Sequence, residues 1–168
     1  PEWEPVHSSC FKEAEIDSVL DFIRNGGRLL AFSYRFGDSF TKTNLRELLF
    51  PLGCLLNEST TISLNSFISD SHPLSVSFET LHSSMPIVRE HMDLEHSVHW
   101  RTMATLSLLQ KSEVVPLVMS PPRCVSFEPQ SFRLFHKPQI IAAGGTFGKG
   151  RFAVFGGPHV LETGRYGL

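Results

Sequence analysis

An excess of charge of either sign, a long apolar run and a paired set of cysteines are all missing from this 168-residue chain. Lys and Arg number 15 against 17 Asp and Glu, a formal net charge of −2, and no block of like charge occurs. That balance excludes a nucleic-acid binder relying on a basic surface, and equally a polybasic membrane-surface protein. No apolar stretch approaches the roughly 18–20 residues that cross a bilayer, and none reads as a secretory leader. The three cysteines, Cys10, Cys54 and Cys124, are odd in number, widely spaced and without a CxxC pair. They argue against a disulfide framework and a structural zinc site, and for a reducing, cytoplasmic setting. Trp and Tyr are scarce, two of each against 14 Phe, a balance that suits burial better than stacking on bases or sugars.

What is present is enough for a core. Hydrophobic residues make up 41% and charged residues 19%, which rules out wholesale disorder and fits one globular domain over 1–168. The chain opens on Pro1-Glu2-Trp3 and stops at Gly167-Leu168; the expectation is a domain cut from a longer protein. Ile16, Val19, Leu20 and Ile23 recur at helical spacing, predicting an amphipathic helix over 12–25 with acids in its first turn and Gly26-Gly27 as its C-cap. Arg28-Leu29-Leu30-Ala31-Phe32 follows as a strand buried on both faces, the order expected of an α/β layered fold. A polar loop, 33–39, leads to a second helix from Asn44, where Asn44 and Glu47 have capping-box spacing. Strand signals occupy 60–64, 74–78, 103–109 and 114–119, the last two reading as a hairpin, and strand, Gly-rich turn, strand closes the chain over 140–155. The stretch 82–101 fits a short helix or an irregular excursion equally well.

The Gly-rich turn does not make a nucleotide site. A P-loop requires GxxxxGK[ST] between strand and helix, but Ala143 stands at the first Gly, Gly150 at the hydroxyl, and a strand follows. Its match to GxGxx(G/A) has the same wrong context. His91, His96 and His99 cluster near Asp93 and Glu95, yet no HExxH arises, so no metal and no cofactor are expected. None of the cysteines sits in a strand-to-helix nucleophile elbow. Counting back from Gly37 places Arg35 at the nucleophile position of such an elbow. A guanidinium cannot attack a carbonyl, but it can fork toward a carboxylate or phosphate.

Several patches together resemble a known family. They are the helix with Gly26-Gly27-Arg28-Leu29-Leu30-Ala31-Phe32; Phe36-Gly37-Asp38-Ser39; Thr43-Asn44-Leu45 through Leu52-Gly53; Thr105-Leu106-Ser107; and Gly148-Lys149-Gly150-Arg151-Phe152-Ala153-Val154-Phe155-Gly156 with His159. In order and spacing they are similar to the GIFT domain of the class I glutamine amidotransferase-like superfamily, shared by a gliding-motility component and an intraflagellar-transport subunit. The resemblance implies a flavodoxin-like three-layer α/β/α fold with a mostly parallel sheet and an antiparallel hairpin near its C-terminal end. It implies no amidotransferase chemistry, because Arg35 replaces the catalytic Cys and Gly156-Gly157-Pro158-His159 departs from the family's His motif.

The expected function is a non-catalytic α/β module that binds a protein partner, or a small anionic or carbohydrate ligand, within a larger assembly. In open α/β sheets ligands bind outside the carboxyl ends of the strands. Ser33, Arg35, Asp38 and Ser39 follow one such end, and Gly156, Gly157 and His159 follow another. The competing reading is a hydrolase or amidotransferase-like enzyme whose nucleophile, Cys10 or Ser33, is displaced and paired with His159.

Overall fold

The computed structural model describes residues 10–63, 75–78, 98–101, 103–110, 112–120 and 124–158. The chain opens with helix α1 (Glu13–Arg24) and strand β1 (Arg28–Phe32), followed by two short helices, α2 (Gly37–Thr41) and α3 (Leu45–Leu49). Strands follow: β2 (Cys54–Leu56), β3 (Thr60–Ser63), β4 (Ser75–Phe78), β5 (Val98–Arg101), β6 (Leu106–Leu108) and β7 (Val114–Met119). The order ends with β8 (Cys124–Glu128), β9 (Arg133–Phe135), β10 (Ile140–Phe147) and β11 (Gly150–Phe155).

The main sheet runs β1-β11-β10-β6-β2, with β7 also paired to β10. Among the described residues β1 and β11 pair in parallel and the other pairings in this sheet are antiparallel. A three-stranded sheet, β3-β8-β9, and the β4–β5 pair complete the described strands. The expected flavodoxin-like, mostly parallel α/β/α fold is therefore incorrect: the chain is mostly sheet, mixed and curled into a half-barrel. The physical reason lies in the connections. Parallel neighbours need crossovers of a dozen or more residues, usually helical, whereas α2 and α3 have five residues each and β2 through β10 add by antiparallel pairing. The hairpin expected between 103–109 and 114–119 is also absent in that form, since β6 pairs β2 and β10 while β7 pairs β10. The Leu109 N–H turns to Gly53 O at 2.9 Å, which holds the end of β6 against the β2 side.

Two apolar clusters flank the main sheet. On one face Ile16, Leu20 and Ile23 of α1 and Leu48, Leu49 and Leu52 around α3 pack on Ala31, Phe152, Val154 and Ala143. On the other, Leu117, Val118, Ile141, Ala142 and Met103 meet Cys124 of the second sheet, with Ala153 and Phe155 alongside. So the second layer is built from strands rather than helices. Leu30, read from the sequence as buried, is 54% exposed at the β1 edge.

The β10–β11 hairpin explains the Gly-rich turn. Gly148, at φ 62, supplies the positive dihedral of a tight two-residue turn. Lys149 N–H donates to Arg24 O at 2.9 Å and Arg151 N–H to Gly27 O at 3.2 Å, so the turn clamps the C-terminus of α1. Those amides hold carbonyls, not phosphate. Among the described residues no helix is long and apolar enough to cross a membrane.

Candidate functional site

Parallel pairing of β1 with β11 puts their carboxyl ends side by side. Phe32 lies opposite Phe155 in register, their rings stacked at 5.5 Å, and Ser33 N–H donates to Phe155 O at 2.8 Å. Ser33 therefore sits next to Gly156, as the two strand ends require. Gly156 is fixed from both sides: its N–H donates to Ile141 O at 2.8 Å and its carbonyl accepts the Ala104 N–H at 2.9 Å. A Cβ at Gly156 would lie 2.0 Å from Ala104 O, so close strand approach is what demands glycine there. Gly157 is buried beside it. His159 and the cluster of His91, His96 and His99 with Asp93 and Glu95 lie outside the residues whose side chains are described.

Beyond Ser33 the chain reverses sharply. Phe36 and Gly37 are consecutive left-handed residues (φ 61 and 56), and Gly37 N–H bonds back to Tyr34 O at 2.9 Å. The reversal starts α2 and sets two aromatic rings, Tyr34 and Phe40, against the Arg35 guanidinium. The Arg35 guanidinium carbon lies 4.9 Å from the Phe40 ring centroid and 5.5 Å from that of Tyr34. Tyr34 and Phe40 stack at 5.8 Å, with Phe36 tilted against Phe40 at 6.2 Å. Arg35 Nε is buried and has no hydrogen-bond partner, and among the described residues no carboxylate is within ion-pair distance of it. Two such cation–π contacts hold the side chain by about 1–2 kcal/mol. Phe40 itself is half-exposed.

Asp38 has a different task. Its Oδ1 accepts Thr43 Oγ1 at 2.6 Å and Leu45 N–H at 3.1 Å, and its Oδ2 accepts Arg46 N–H at 2.7 Å. The carboxylate thus satisfies the free amides at the start of α3. Asn44, expected as that cap, instead bridges to the Phe11 backbone at 2.7 and 2.9 Å and to Glu47 Oε2 at 2.7 Å. Ser39 Oγ lies 3.4 Å from Gln130 Nε2, which ties α2 to the turn between β8 and β9.

Two features had no signal in the sequence. Asn57 Nδ2 donates to Thr105 Oγ1 (2.9 Å) and Ser107 Oγ (3.0 Å), and Ser59 Oγ pairs with Thr105 Oγ1 at 2.6 Å. These partners are 46 to 50 residues apart in the chain, which no local pattern reveals. Beside them lies an open, polar crevice of about 240 Å³ lined by Arg46, Leu56, Asn57, Glu58 and Glu128.

Two of the three cysteines, Cys54 and Cys124, are buried. Burial pushes the Cys54 and Cys124 thiols up from 9.0 to about 11, so both stay protonated at neutral pH. Cys10 is exposed, its thiol pointing at Lys42 O at 3.6 Å, and Ser33 Oγ donates to Tyr34 O at 3.4 Å rather than to a base. Among the described residues no group of three His, Cys, Asp or Glu side chains is placed to hold a metal ion.

No protein-family model matches the chain, and comparison with curated proteins gives no match. Among solved structures the chain is similar to the mmIFT52 N-terminal domain, with a TM-score of 0.70 and 21% sequence identity over 89% of this chain and 62% of that one. It is also similar to cytoplasmic protein STM3548 from Salmonella typhimurium, with a TM-score of 0.52 and 12% identity over 88% of this chain and 50% of that one. The chain thus spans less than two thirds of either structure's length. At these identities the likeness is one of fold, and the fold is that of the mmIFT52 N-terminal domain.

Proposed function

We propose that this chain is a non-catalytic GIFT-type module that binds a protein partner inside a larger cytoplasmic assembly, and that the partner meets the segment Tyr34–Phe40. The observation that carries the reading is Arg35: a guanidinium fixed by the rings of Tyr34 and Phe40, with no acid beside it among the described residues. Arg and Tyr in a packed aromatic setting dominate the energetics of protein interfaces. A partner carboxylate matches the guanidinium fork and would neutralise a charge already held in position. The proposed set joins Arg35 to Ser33, Asp38, Ser39, Gly156, Gly157 and His159; the Ser33 N–H reaches Phe155 O at the paired strand ends, and Asp38 caps the start of α3. The likeness to a domain named as the N-terminal part of a longer protein supports the placement in a larger chain.

A photo-crosslinking residue at Phe40 of the full-length protein, in its native cells, tests this. The expected result is a discrete crosslinked species that Arg35→Glu abolishes, while the same probe at Phe22, exposed on α1, stays silent. Equal crosslinking from both positions would overturn the reading. So would a covalent adduct at Cys10 or Ser33 after incubation with a glutamine-derived affinity label, read by intact mass.

A further inference from the structure

The second sheet ends in a strand that nothing among the described residues covers. In the order β3-β8-β9, β9 pairs β8 through Ser126↔Phe135, Phe127↔Leu134 and Glu128↔Arg133, and among the described residues no strand pairs its other edge. An open edge presents unpaired N–H and C=O groups, and natural sheets commonly blunt such an edge with charge, proline or a bulge. Here the edge carries charge of one sign only, and it keeps its apolar side chains. Phe132 is 82% exposed, Leu134 55% and Phe135 39%, three of the chain's exposed large hydrophobics within four residues. Phe132 also holds a left-handed backbone (φ 50), costly for a bulky side chain that gains so little burial in return. Among the described residues its ring meets Phe127 edge-on, at 6.3 Å.

Charge identifies the occupant. Arg133 and Lys137 are both exposed within five residues. Across the hairpin the acid is Glu128, whose Oε2 accepts the Ser131 hydroxyl. This cationic strip stands out on a chain whose net charge is −2. Here Arg133 and Lys137 flank the exposed Leu134 and Phe135. That combination matches the two requirements of strand addition, main-chain hydrogen bonds for affinity and alternate side-chain pockets for specificity.

We propose that the β9 edge is a docking site for an extended segment of a partner protein in which acidic and apolar residues alternate. The segment adds as a fourth strand to β3-β8-β9. Its carboxylates face Arg133 and Lys137, and its apolar residues cover Leu134 and Phe132. The proposal does not depend on the Arg35 face.

The test uses the 168-residue chain, isotope-labelled, with synthetic ten-residue peptides in which Glu alternates with Val, the same peptide with Lys for Glu, and the Glu peptide N-methylated on one edge. Amide shifts are expected to move at 132–137 with the Glu peptide. The Lys and N-methylated peptides should bind at least tenfold more weakly. The double charge reversal Arg133→Glu with Lys137→Glu, at exposed positions that leave the core intact, should invert the preference between Glu and Lys peptides. Absence of shifts with the Glu peptide at millimolar concentration overturns the proposal, as does mapping of the shifts elsewhere or unchanged preference in the reversed variant. Shifts that map to 34–40 instead would also refute it, while supporting the Arg35 face. Loss of the Phe40 crosslink with peptide binding intact would separate the two readings in the opposite sense.

Discussion

Replacing Gly150 by Ala should destabilise the chain severely, although the substitution adds one methyl group. The φ of Gly150 lies outside the left-handed region, so alanine is conformationally allowed and the effect is steric. An ideal Cβ would sit 1.9 Å from Ile23 O and 2.4 Å from Gly27 O. Contacts below 3.0 Å are essentially never tolerated, so the Ile23 carbonyl must retreat by about an ångström or more. Both obstacles are backbone, and Ile23, fully buried, would be drawn out of its packing. Overpacking of this kind costs about 1–3 kcal/mol. The two bonds that fasten the turn to α1, Lys149 N–H to Arg24 O and Arg151 N–H to Gly27 O, contribute about 1 kcal/mol each. The total, about 3–5 kcal/mol, is a large part of the 5–15 kcal/mol of a typical domain. At about 2–4 °C per kcal/mol for this size, Tm should fall by about 6–20 °C in a circular-dichroism melt. Lys149→Ala, with an exposed side chain between the same bonds, should stay within about 0.5 kcal/mol of the parent. If Gly150→Ala melted within about 2 °C of the parent, the clamp on α1 would be wrong.

Asp38→Ala removes the carboxylate that caps α3 and should cost about 1–2 kcal/mol in urea titration with an unchanged slope; an unchanged midpoint would show that water replaces the cap. Two hydroxyl deletions should have opposite signs. Thr105→Val takes the hydroxyl partner from Ser59 and one of two from Asn57, which keeps Ser107, and should cost about 1–3 kcal/mol, whereas Thr60→Val removes a buried, unpartnered Oγ1 and should be neutral or stabilising by up to about 1 kcal/mol; equal losses from both would contradict the network. A thiol titration of the native protein at pH 8 should modify Cys10 alone, with Cys54 and Cys124 reacting after denaturant. The pH dependence follows from the same burial. Both thiols ionise only near pH 11 when folded but near 9 when unfolded, so between those values the unfolded chain binds fewer protons. Stability should therefore be flat below pH 8 and fall as pH rises through 9 to 11, by about 2–3 kcal/mol per thiol. A Cys54→Val, Cys124→Val double variant should lose that part of the decline.

What the sequence made legible, and what it hid, divides along the range of the interactions. The 3.6-residue spacing of Ile16, Leu20 and Ile23 marks α1, and all three are buried. The run at 28–32 marks β1 correctly, yet an apolar run does not say how many faces are covered, and Leu30 is exposed. Helix α2 carries no periodic signal because it is bounded by two left-handed residues, Phe36 and Lys42, at types that rarely adopt that conformation. Its stability comes from elsewhere: Asp38 reaches seven and eight residues ahead, to Leu45 and Arg46, and Ser39 reaches Gln130. Helix, Gly-Gly and buried strand constitute one α/β unit, and extending that unit to a whole parallel sheet was the step that failed. Within the unit itself the inference holds, since β1 does pair in parallel with β11, over α1. The proximity of Ser33 to Gly156 depends on that single pairing and on nothing beyond β10. For this reason the fold class could be wrong while the strand ends still met, and the same locality explains why the crevice at Asn57 and the open edge of β9, which depend on antiparallel partners dozens of residues away, left no trace in the sequence.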